Sequence, residues 1–487
     1  MSVPLSRLLS GSSAPVRGLC DPAITGLTAD SREVRPGYAF AALPGTSVDG
    51  AGFIPQALAH GASAIIAAES VADPGGIAFV KTNNPRKLFA QMAARFAGGQ
   101  PDIVVAVTGT NGKTSVASFV RQIWQSMGFR AASMGTIGVV GPEGEEYLRH
   151  TTPDPVKLHT TLARLAADHV THLALEASSH GLAQFRLDGV RIAAGAFTNI
   201  TRDHLDYHPT FEDYFNAKAR LFNELLPPGS AAVINADGPQ AQALEEIARR
   251  RDLVPVTVGY KGKALRILGA RQEGFGQQLV VVGPQLTHEF ILPLVGEFQA
   301  SNALVAAGLV IATGGEERLA MHALESLKGA KGRLDLVAKS ASGAPIFVDY
   351  AHTPDALENA ISALRPYVKR QLAVVFGAGG DRDKGKRPQM GAAAARLADI
   401  AYVTDDNPRS EDPAEIRAEV LAGCPGGINA GDRASAIRMA VDRLREGDVL
   451  LIAGKGHETG QTIGKTTIPF SDHDAIRAAV RGEAYNG

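Results

Sequence analysis

One stretch constrains this chain more than any other. The apolar run Ile103-Val104-Val105-Ala106-Val107 leads into Thr108-Gly109-Thr110-Asn111-Gly112-Lys113-Thr114-Ser115, and a helix-like segment, 114–127, follows. A buried strand, a glycine loop and a helix in that order frame a parallel α/β domain, whose ligands sit at strand carboxyl ends. Small residues let backbone N–H groups wrap a triphosphate. Lys113 adds a mobile charge, and Thr114 can offer a hydroxyl to Mg²⁺. Val107 stands five before Gly112, so the loop is the short G-x-x-G-K-T form. ATP use follows, and a kinase, an ATPase or a ligase would each fit it. An incidental lysine on a glycine turn would need no such order of strand, loop and helix.

The same alternation recurs. Leu372-Ala373-Val374-Val375-Phe376 and Val449-Leu450-Leu451-Ile452-Ala453 read as strands buried on both faces, and 388–397 reads as a helix between them. With 487 residues, two to four domains are expected, and no short repeat suggests a solenoid. Turn-rich breaks at Ala97-Gly98-Gly99-Gln100-Pro101 and Lys328-Gly329-Ala330-Lys331-Gly332 divide the chain into 1–98, 99–330 and 331–487. The fold class is α/β: a small N-terminal domain, a central phosphate-loop domain with a parallel sheet, and a Rossmann-like C-terminal domain. Lys and Arg total 49 against 50 Asp and Glu, which argues against nucleic acid or an anionic membrane as partner. Cys20 and Cys424 form no metal or disulfide pattern and are assigned no role. Neither a signal segment nor a membrane span is apparent, so a cytoplasmic protein is expected.

Further blocks give the chain a family. The first domain carries Asp30-Ser31-Arg32, Val34-Arg35-Pro36-Gly37 and Asp49-Gly50. The centre adds His150-Thr151-Thr152-Pro153, Glu176-Ala177-Ser178-Ser179-His180-Gly181 and Thr198-Asn199-Ile200-Thr201-Arg202-Asp203-His204-Leu205-Asp206. The last part carries Asp349-Tyr350-Ala351-His352-Thr353-Pro354, Gly379-Gly380-Asp381-Arg382-Asp383-Lys384-Gly385-Lys386-Arg387 and Gly454-Lys455-Gly456-His457-Glu458. In this order and at this spacing the chain resembles the Mur ligases, ATP-dependent amide-forming enzymes of peptidoglycan precursor synthesis.

The resemblance implies phosphorylation of a substrate carboxylate by ATP, attack of an amine on the acyl phosphate, and release of ADP and phosphate. Such chemistry rests on positioning and charge neutralisation. Lys113, Lys218, His204 and Arg333 are the implied catalytic set. Gly109, Thr110, Asn111, Gly112, Lys113, Thr114 and Ser115 would hold the phosphates, Asn302 the adenine, Arg333 the γ-phosphate, and Asp349 and His352 the ribose and adenine. Thr114 and Glu176 would bind one Mg²⁺, Glu176 from a strand's carboxyl end, and His204 would approach a second metal. His208 is expected at the surface. By composition alone Lys218, in the helix expected over 212–222, is a solvated lysine. The resemblance instead implies that it takes up CO₂ as a carbamate, N6-carboxylysine, and becomes an anionic metal ligand.

For substrates, Ser31 and Thr46-Ser47-Val48 match the uridine-diphosphate site. His150, Thr151, Thr152, Ser178, Gln184 and Arg186 match contacts to the muramoyl-dipeptide. Arg382, Asp406, Asn407, Pro408, Arg409, Gly454 and Glu458 match an amino-acid site, with Glu458 as ammonium partner. Within the family, Asp406-Asn407-Pro408-Arg409 accompanies meso-2,6-diaminopimelate, whose extra carboxylate a guanidinium can hold through two parallel bonds. The implied acceptor is UDP-N-acetylmuramoyl-L-alanyl-D-glutamate, and the implied state is a monomer. A lysine-adding sibling is disfavoured by Arg409, and a folylpolyglutamate synthetase by the N-terminal blocks. A catalytically dead binding protein is disfavoured because Lys113, Thr114, Glu176, His204 and Lys218 are all present.

Overall fold

The computed structural model describes residues 2–12, 14–17, 21–45, 49–148, 150–201, 203–204 and 207–485. Thr46, Ser47, Val48 and Cys20 therefore lie outside the described residues, as do Arg202, Leu205 and Asp206. The chain forms two compact units. One holds Met1–Ile267, Val282–Thr287 and Ser301–Ala323; the other holds Leu268–Val281, His288–Ala300 and Leu324–Gly487.

The first unit contains two parallel sheets. The N-terminal one is built from β1 (Gly26–Thr28), β2 (Tyr38–Ala42), β3 (Ala64–Ala68) and β4 (Ala78–Thr82), paired in sequence order and all parallel. Helix α1 (Pro85–Ala97) packs on it and ends at Gly98, in the left-handed conformation that glycine adopts without steric cost. The central sheet places β5 (Ile103–Thr108) between β7 (His172–Glu176) and β8 (Ala194–Phe197). Beyond β7 lies β6 (Ala131–Gly135), and beyond β8 come β9 (Ala231–Asn235) and β10 (Val254–Gly259), all parallel. A strand with neighbours on both edges and helices on both faces has no solvated side. That is why 104–108 is buried throughout and shows no polar alternation.

Helix α2 (Lys113–Ser126) starts straight after the glycine loop and buries Val116, Phe119, Val120, Ile123 and Trp124. The helix expected over 212–222 is shorter. Helix α4 (Phe211–Arg220), which follows the short α3 (Ser179–Ala183), is capped by Thr210 and gives way to a π turn at Leu221–Leu225. Arg220 marks the change. Its guanidinium holds Asp188 through two bonds (2.8 and 2.9 Å) and donates to the Leu182 carbonyl and to Glu224. A buried bidentate pair of this kind fixes the rotation of the helix that carries it. Helix α5 (Glu297–Ala312) contributes its residues from Ser301 onward to this unit.

The second unit is a sheet of β11 (Pro345–Asp349), β12 (Leu372–Phe376), β13 (Ile400–Thr404), β14 (Ile428–Gly431) and β15 (Val449–Ala453), in the order β11-β15-β12-β13-β14. These strands are parallel, and Asp335–Lys339 adds an antiparallel edge beside β11. Helices α6 (Lys386–Leu397), α7 (Arg433–Asp442) and α8 (Asp472–Arg481) belong to the same unit. The strand order reverses beside β15, the kind of switch point at which open α/β sheets bind ligands at their strand carboxyl ends.

Candidate active site

In the first unit the loop residues converge on the carboxyl ends of β5, β6, β7 and β8. Gly109 has φ 150° and Gly112 φ 86°, a region where a Cβ is strained. Space is also closed: a Cβ on Gly109 would lie 1.9 Å from Thr198 Oγ1, and one on Gly112 2.4 Å from Asn302 Oδ1. Asn302 therefore sits inside α5 against the phosphate loop, not at a helix cap. The β8 loop secures the other side, where Thr110 N donates to Asn199 O, Asn111 N to Asn199 Oδ1 and Thr198 Oγ1 to Asn111 O. Thr114 and Ser115 are buried in the first turn of α2.

Two lysines meet on one carbonyl. Lys113 Nζ donates to Gly109 O (2.9 Å) and Thr110 O (2.8 Å), and Lys218 Nζ donates to Gly109 O at 2.7 Å. Lys218 is only 1% exposed, so the solvated position expected from composition is wrong. The rotation set by Arg220 turns Lys218 inward, its ammonium 4.3 Å from the centre of the Tyr214 ring. Burial, with the Lys113 ammonium nearby, holds the Lys218 amine well below its ordinary lysine value, against the opposing pull of Asp203. Tyr214 bonds Thr110 Oγ1 (3.1 Å), and burial pushes its phenol up to about 12.

Glu176 ends β7, as the sequence predicts, and is buried. It accepts from Thr114 Oγ1 (3.1 Å), Thr136 Oγ1 (3.0 Å) and Thr136 N (2.8 Å). A buried carboxylate beside two hydroxyls is a hard oxygen set that suits Mg²⁺. Among the described residues no group of three His, Cys, Asp or Glu side chains could hold a metal alone. Thr136 and Tyr214 are missed by sequence reasoning. A glycine before Thr136, at a strand end, is the one local signal, since a Cβ on Gly135 would strike Glu176 Oε1 at 2.0 Å.

His204 has φ 53°, and its Nε2 lies 3.5 Å from Asp203 Oδ2. Its ring is 5.0 Å from that of His180. His208, expected at the surface, is buried instead. Its N–H donates to the His204 carbonyl, and its ring packs on Tyr214 at 5.2 Å and Tyr207 at 4.9 Å, so the turn folds the imidazole inward.

The residues matched to a muramoyl-dipeptide form one connected set. Thr151 Oγ1 bonds Thr136 Oγ1, and Thr152 Oγ1 reaches both Glu176 O and Ser178 Oγ (2.9 Å each). Arg186 donates to Thr152 O (2.6 Å) and to Gln184 Oε1 (2.7 Å), and Gln184 donates to the Tyr207 hydroxyl. His150 is exposed one residue before this set. Ser31 is buried beyond β1, where its Oγ donates to Gln56 Oε1 (2.7 Å) and its carbonyl accepts from His60 Nδ1.

The second unit gathers its candidates at the same kind of edge. At the end of β11, Asp349 accepts from Leu334 N (2.7 Å) and Ala351 N (2.8 Å), and burial pushes its carboxyl up against the pull of Arg333. Arg333 lies 5.0 Å above the Tyr350 ring, and His352 Nδ1 donates to the Tyr350 carbonyl. Arg382 follows β12; Asp406, Asn407, Pro408 and Arg409 follow β13; Gly454 and Glu458 follow β15. Glu458, read as an ammonium partner, is already met by buried Lys455 (2.8 Å) and by Asn407 Nδ2 (3.0 Å). Gly454 has φ 117°, and a Cβ there would lie 2.7 Å from Asp406 Oδ2. Arg409 donates to Gly380 O at 2.7 Å.

Three family models match in sequence order: the Mur ligase family catalytic domain at 23–97, the Mur ligase middle domain at 107–310, and the Mur ligase glutamate ligase domain at 332–456. The chain belongs to the Mur ligase family and is an ATP-dependent ligase. It is 53% identical over 473 residues to the UDP-N-acetylmuramoyl-L-alanyl-D-glutamate–2,6-diaminopimelate ligase of Mesorhizobium japonicum, covering 96% of this chain and 98% of that one. It is 54% identical to the Bradyrhizobium diazoefficiens protein of the same name, covering 94% and 95%. A solved structure of a ligase so named aligns over 99% of both chains with TM-score 0.72 and 32% identity. The Mycobacterium tuberculosis folylpolyglutamate synthase shares the fold, with TM-score 0.60 over 74% of this chain at 20% identity. No helix among the described residues is long and apolar enough to cross a membrane.

Proposed function

We propose that this chain joins an amine of meso-2,6-diaminopimelate to the γ-carboxylate of the D-glutamate in UDP-N-acetylmuramoyl-L-alanyl-D-glutamate. ATP is consumed, an acyl phosphate is the intermediate, and ADP and phosphate are released. The observation that carries the reading is the amino-acid loop: Arg409, at the strand carboxyl ends of the second unit, is fixed by Gly380 O, in a chain more than half identical to ligases of that name.

The roles follow from the residues. The glycine loop and Lys113 hold the β- and γ-phosphates, where backbone N–H groups and a cation offset charge without rearrangement. Thr114 and Glu176 would hold Mg²⁺, with His204 beside a second ion. Bound Mg²⁺ would neutralise charge on the phosphate oxygens. Lys218 is suited to CO₂ capture, since a buried lysine held below its ordinary value presents the neutral amine that reacts. Its carbamate would be an oxygen ligand, and its hydrogen bond to Gly109 O belongs to the unmodified amine. Thr151, Thr152, Ser178, Gln184 and Arg186 orient the dipeptide, and Ser31 with Thr46, Ser47 and Val48 the uridine diphosphate. Asn302, Asp349 and His352 take the nucleoside of ATP, and Arg333 its γ-phosphate. Arg382, Asp406, Asn407, Pro408, Arg409, Gly454 and Glu458 take the diaminopimelate. The working protein is a cytoplasmic monomer.

Phosphate release with ATP, Mg²⁺ and the nucleotide-dipeptide tests the reading, with meso-diaminopimelate or L-lysine added in parallel. Release with diaminopimelate alone, and the matching mass gain in the nucleotide product, is the expected result. Equal or better turnover with lysine would discard the specificity assigned to Arg409.

A further inference from the structure

Two residues that no role above uses bind the amino-acid loops together. The loops after β12 and β13 run side by side, with Gly380 N donating to Asn407 O (2.9 Å) and Arg409 to Gly380 O (2.7 Å). Across them, Glu411 Oε1 accepts from Asp381 N at 2.6 Å. Asp381 in return accepts from Ser410 Oγ (2.6 Å) and Ser410 N (3.2 Å). Behind this pair stands Arg387, with no exposed side-chain surface, donating to both Glu411 oxygens (2.8 and 3.0 Å) and to Glu419 (2.8 Å).

The backbone gives the pair its meaning. Asp381 has φ 53° and Arg409 φ 50°, a left-handed conformation that costs a non-glycine residue free energy. Such residues persist where their surroundings over-determine them. Here each strained residue is held from the opposite loop, Asp381 by Ser410 and Glu411, Arg409 by Gly380 O. Glycine before Asp381 is required as well, because a Cβ on Gly380 would lie 1.9 Å from Pro408 O. Arg382 follows Asp381 directly, so the bonds that fix Asp381 also fix the start of the Arg382 side chain.

We propose that Asp381 and Glu411 are positioning residues for amino-acid recognition, a reciprocal clamp that sets the spacing of Arg382 and Arg409 and thereby selects a substrate with two carboxylates. The inference rests on the reading of Arg382 and Arg409 as the diaminopimelate site. Two guanidiniums read a dicarboxylic substrate more tightly and selectively when their separation is fixed before it binds. Lysine, with one carboxylate, gains less from that spacing.

Asp381→Gly is the discriminating variant. It removes the acceptor for Ser410 but keeps the backbone N–H that Glu411 accepts, and glycine suits φ 53°, so the loop loses the Ser410 half of its clamp without a steric penalty. Glu411→Gln, which keeps an acceptor for Asp381 N and loses the charge facing Arg387, is the second. Each is expected to raise KM for diaminopimelate about tenfold and to narrow the preference over lysine by a similar factor, as loss of one charge-assisted bond implies. KM for ATP and for the nucleotide-dipeptide should stay within about twofold, and the thermal midpoint of Asp381→Gly within about 3 °C. Arg409→Ala is the reference. If it raises the diaminopimelate KM while neither clamp variant does, the clamp is overturned and the site reading stands. If Arg409→Ala leaves that KM unchanged, the site reading fails and takes the clamp with it. A rise in all three KM values together with a lowered midpoint would make the pair merely structural and would also overturn it.

Discussion

The phosphate loop of the first unit and the amino-acid loops of the second solve one problem in opposite ways. Both hold polar groups at the carboxyl ends of parallel strands, where the chain must turn sharply. The phosphate loop turns on glycines, Gly109 and Gly112, so its unusual backbone carries no strain. The loops proposed for the amino acid turn on Asp381 and Arg409, which carry side chains, and bonds from the neighbouring loop hold them there. A loop that cradles phosphates with backbone N–H groups can dispense with side chains; a loop that recognises carboxylates by guanidinium cannot.

Four experiments would break or sharpen that contrast. Lys218→Ala should abolish turnover, with no rescue by high bicarbonate in a phosphate-release assay, because no amine remains to be carboxylated; retained activity would remove Lys218 from the site. Gly109→Ala should lower kcat/KM for ATP at least about 100-fold, since the new methyl must displace Thr198 or the loop, and misplacement near 1 Å costs that much. The contrast with Asp381→Gly, where glycine enters a left-handed position without strain, would fail if both variants behaved alike.

The third uses acid. His159 is buried with its Nε2 donating to the Asp188 carbonyl, and burial lowers its imidazole to about 4 from 6.5. Its folded value lies below its unfolded one, so the folded state stays neutral while the unfolded chain takes up a proton. Stability from this residue is whole above pH 6.5 and declines by about 3 kcal/mol as pH falls toward 4. Glu411, bonded first by Arg387 and then by Asp381 N and Lys384, is lowered to about 2 from 4.5. Its contribution is whole above pH 4.5 and declines as pH falls from there to about 2. Hydrogen exchange at pH 7 and pH 4.5 should therefore show protection lost around the helix Pro155–Ala167, which carries His159, and kept in the 380–411 loops; the reverse order would refute it. The smallest effect is expected from Arg409→Lys, which keeps a charge but loses the two parallel bonds. KM for diaminopimelate should rise about tenfold in steady-state kinetics, with KM for ATP unchanged.

Residues acting within a few positions of one another were legible in the sequence. The strand, loop and helix over 103–126, the Glu176 strand end and the strands 372–376 and 449–453 stand where their local patterns place them. The contents of the loops 46–48 and 202–206 fall in part outside the described residues. Thr136 escaped because its partner Glu176 is 40 residues away, and Tyr214 because Thr110 is 104 residues away. Composition alone places Lys218 and His208 at the surface, where the structure buries both. A polar side chain in a polar segment is solvated by default, and only a distant anchor such as the Arg220–Asp188 pair turns it inward.

By itself, the sequence determined what depends on a short span of chain: apolar runs that must be buried on both faces, glycines where no Cβ fits, and a lysine and threonine at the start of a helix. The tertiary structure alone decided which carbonyl Lys218 reaches, how far its amine is drawn from its ordinary value, and that Asp381 and Glu411 hold each other's loops. Those outcomes arise from desolvation and from bonds between residues 30 to 109 positions apart, which no local pattern encodes.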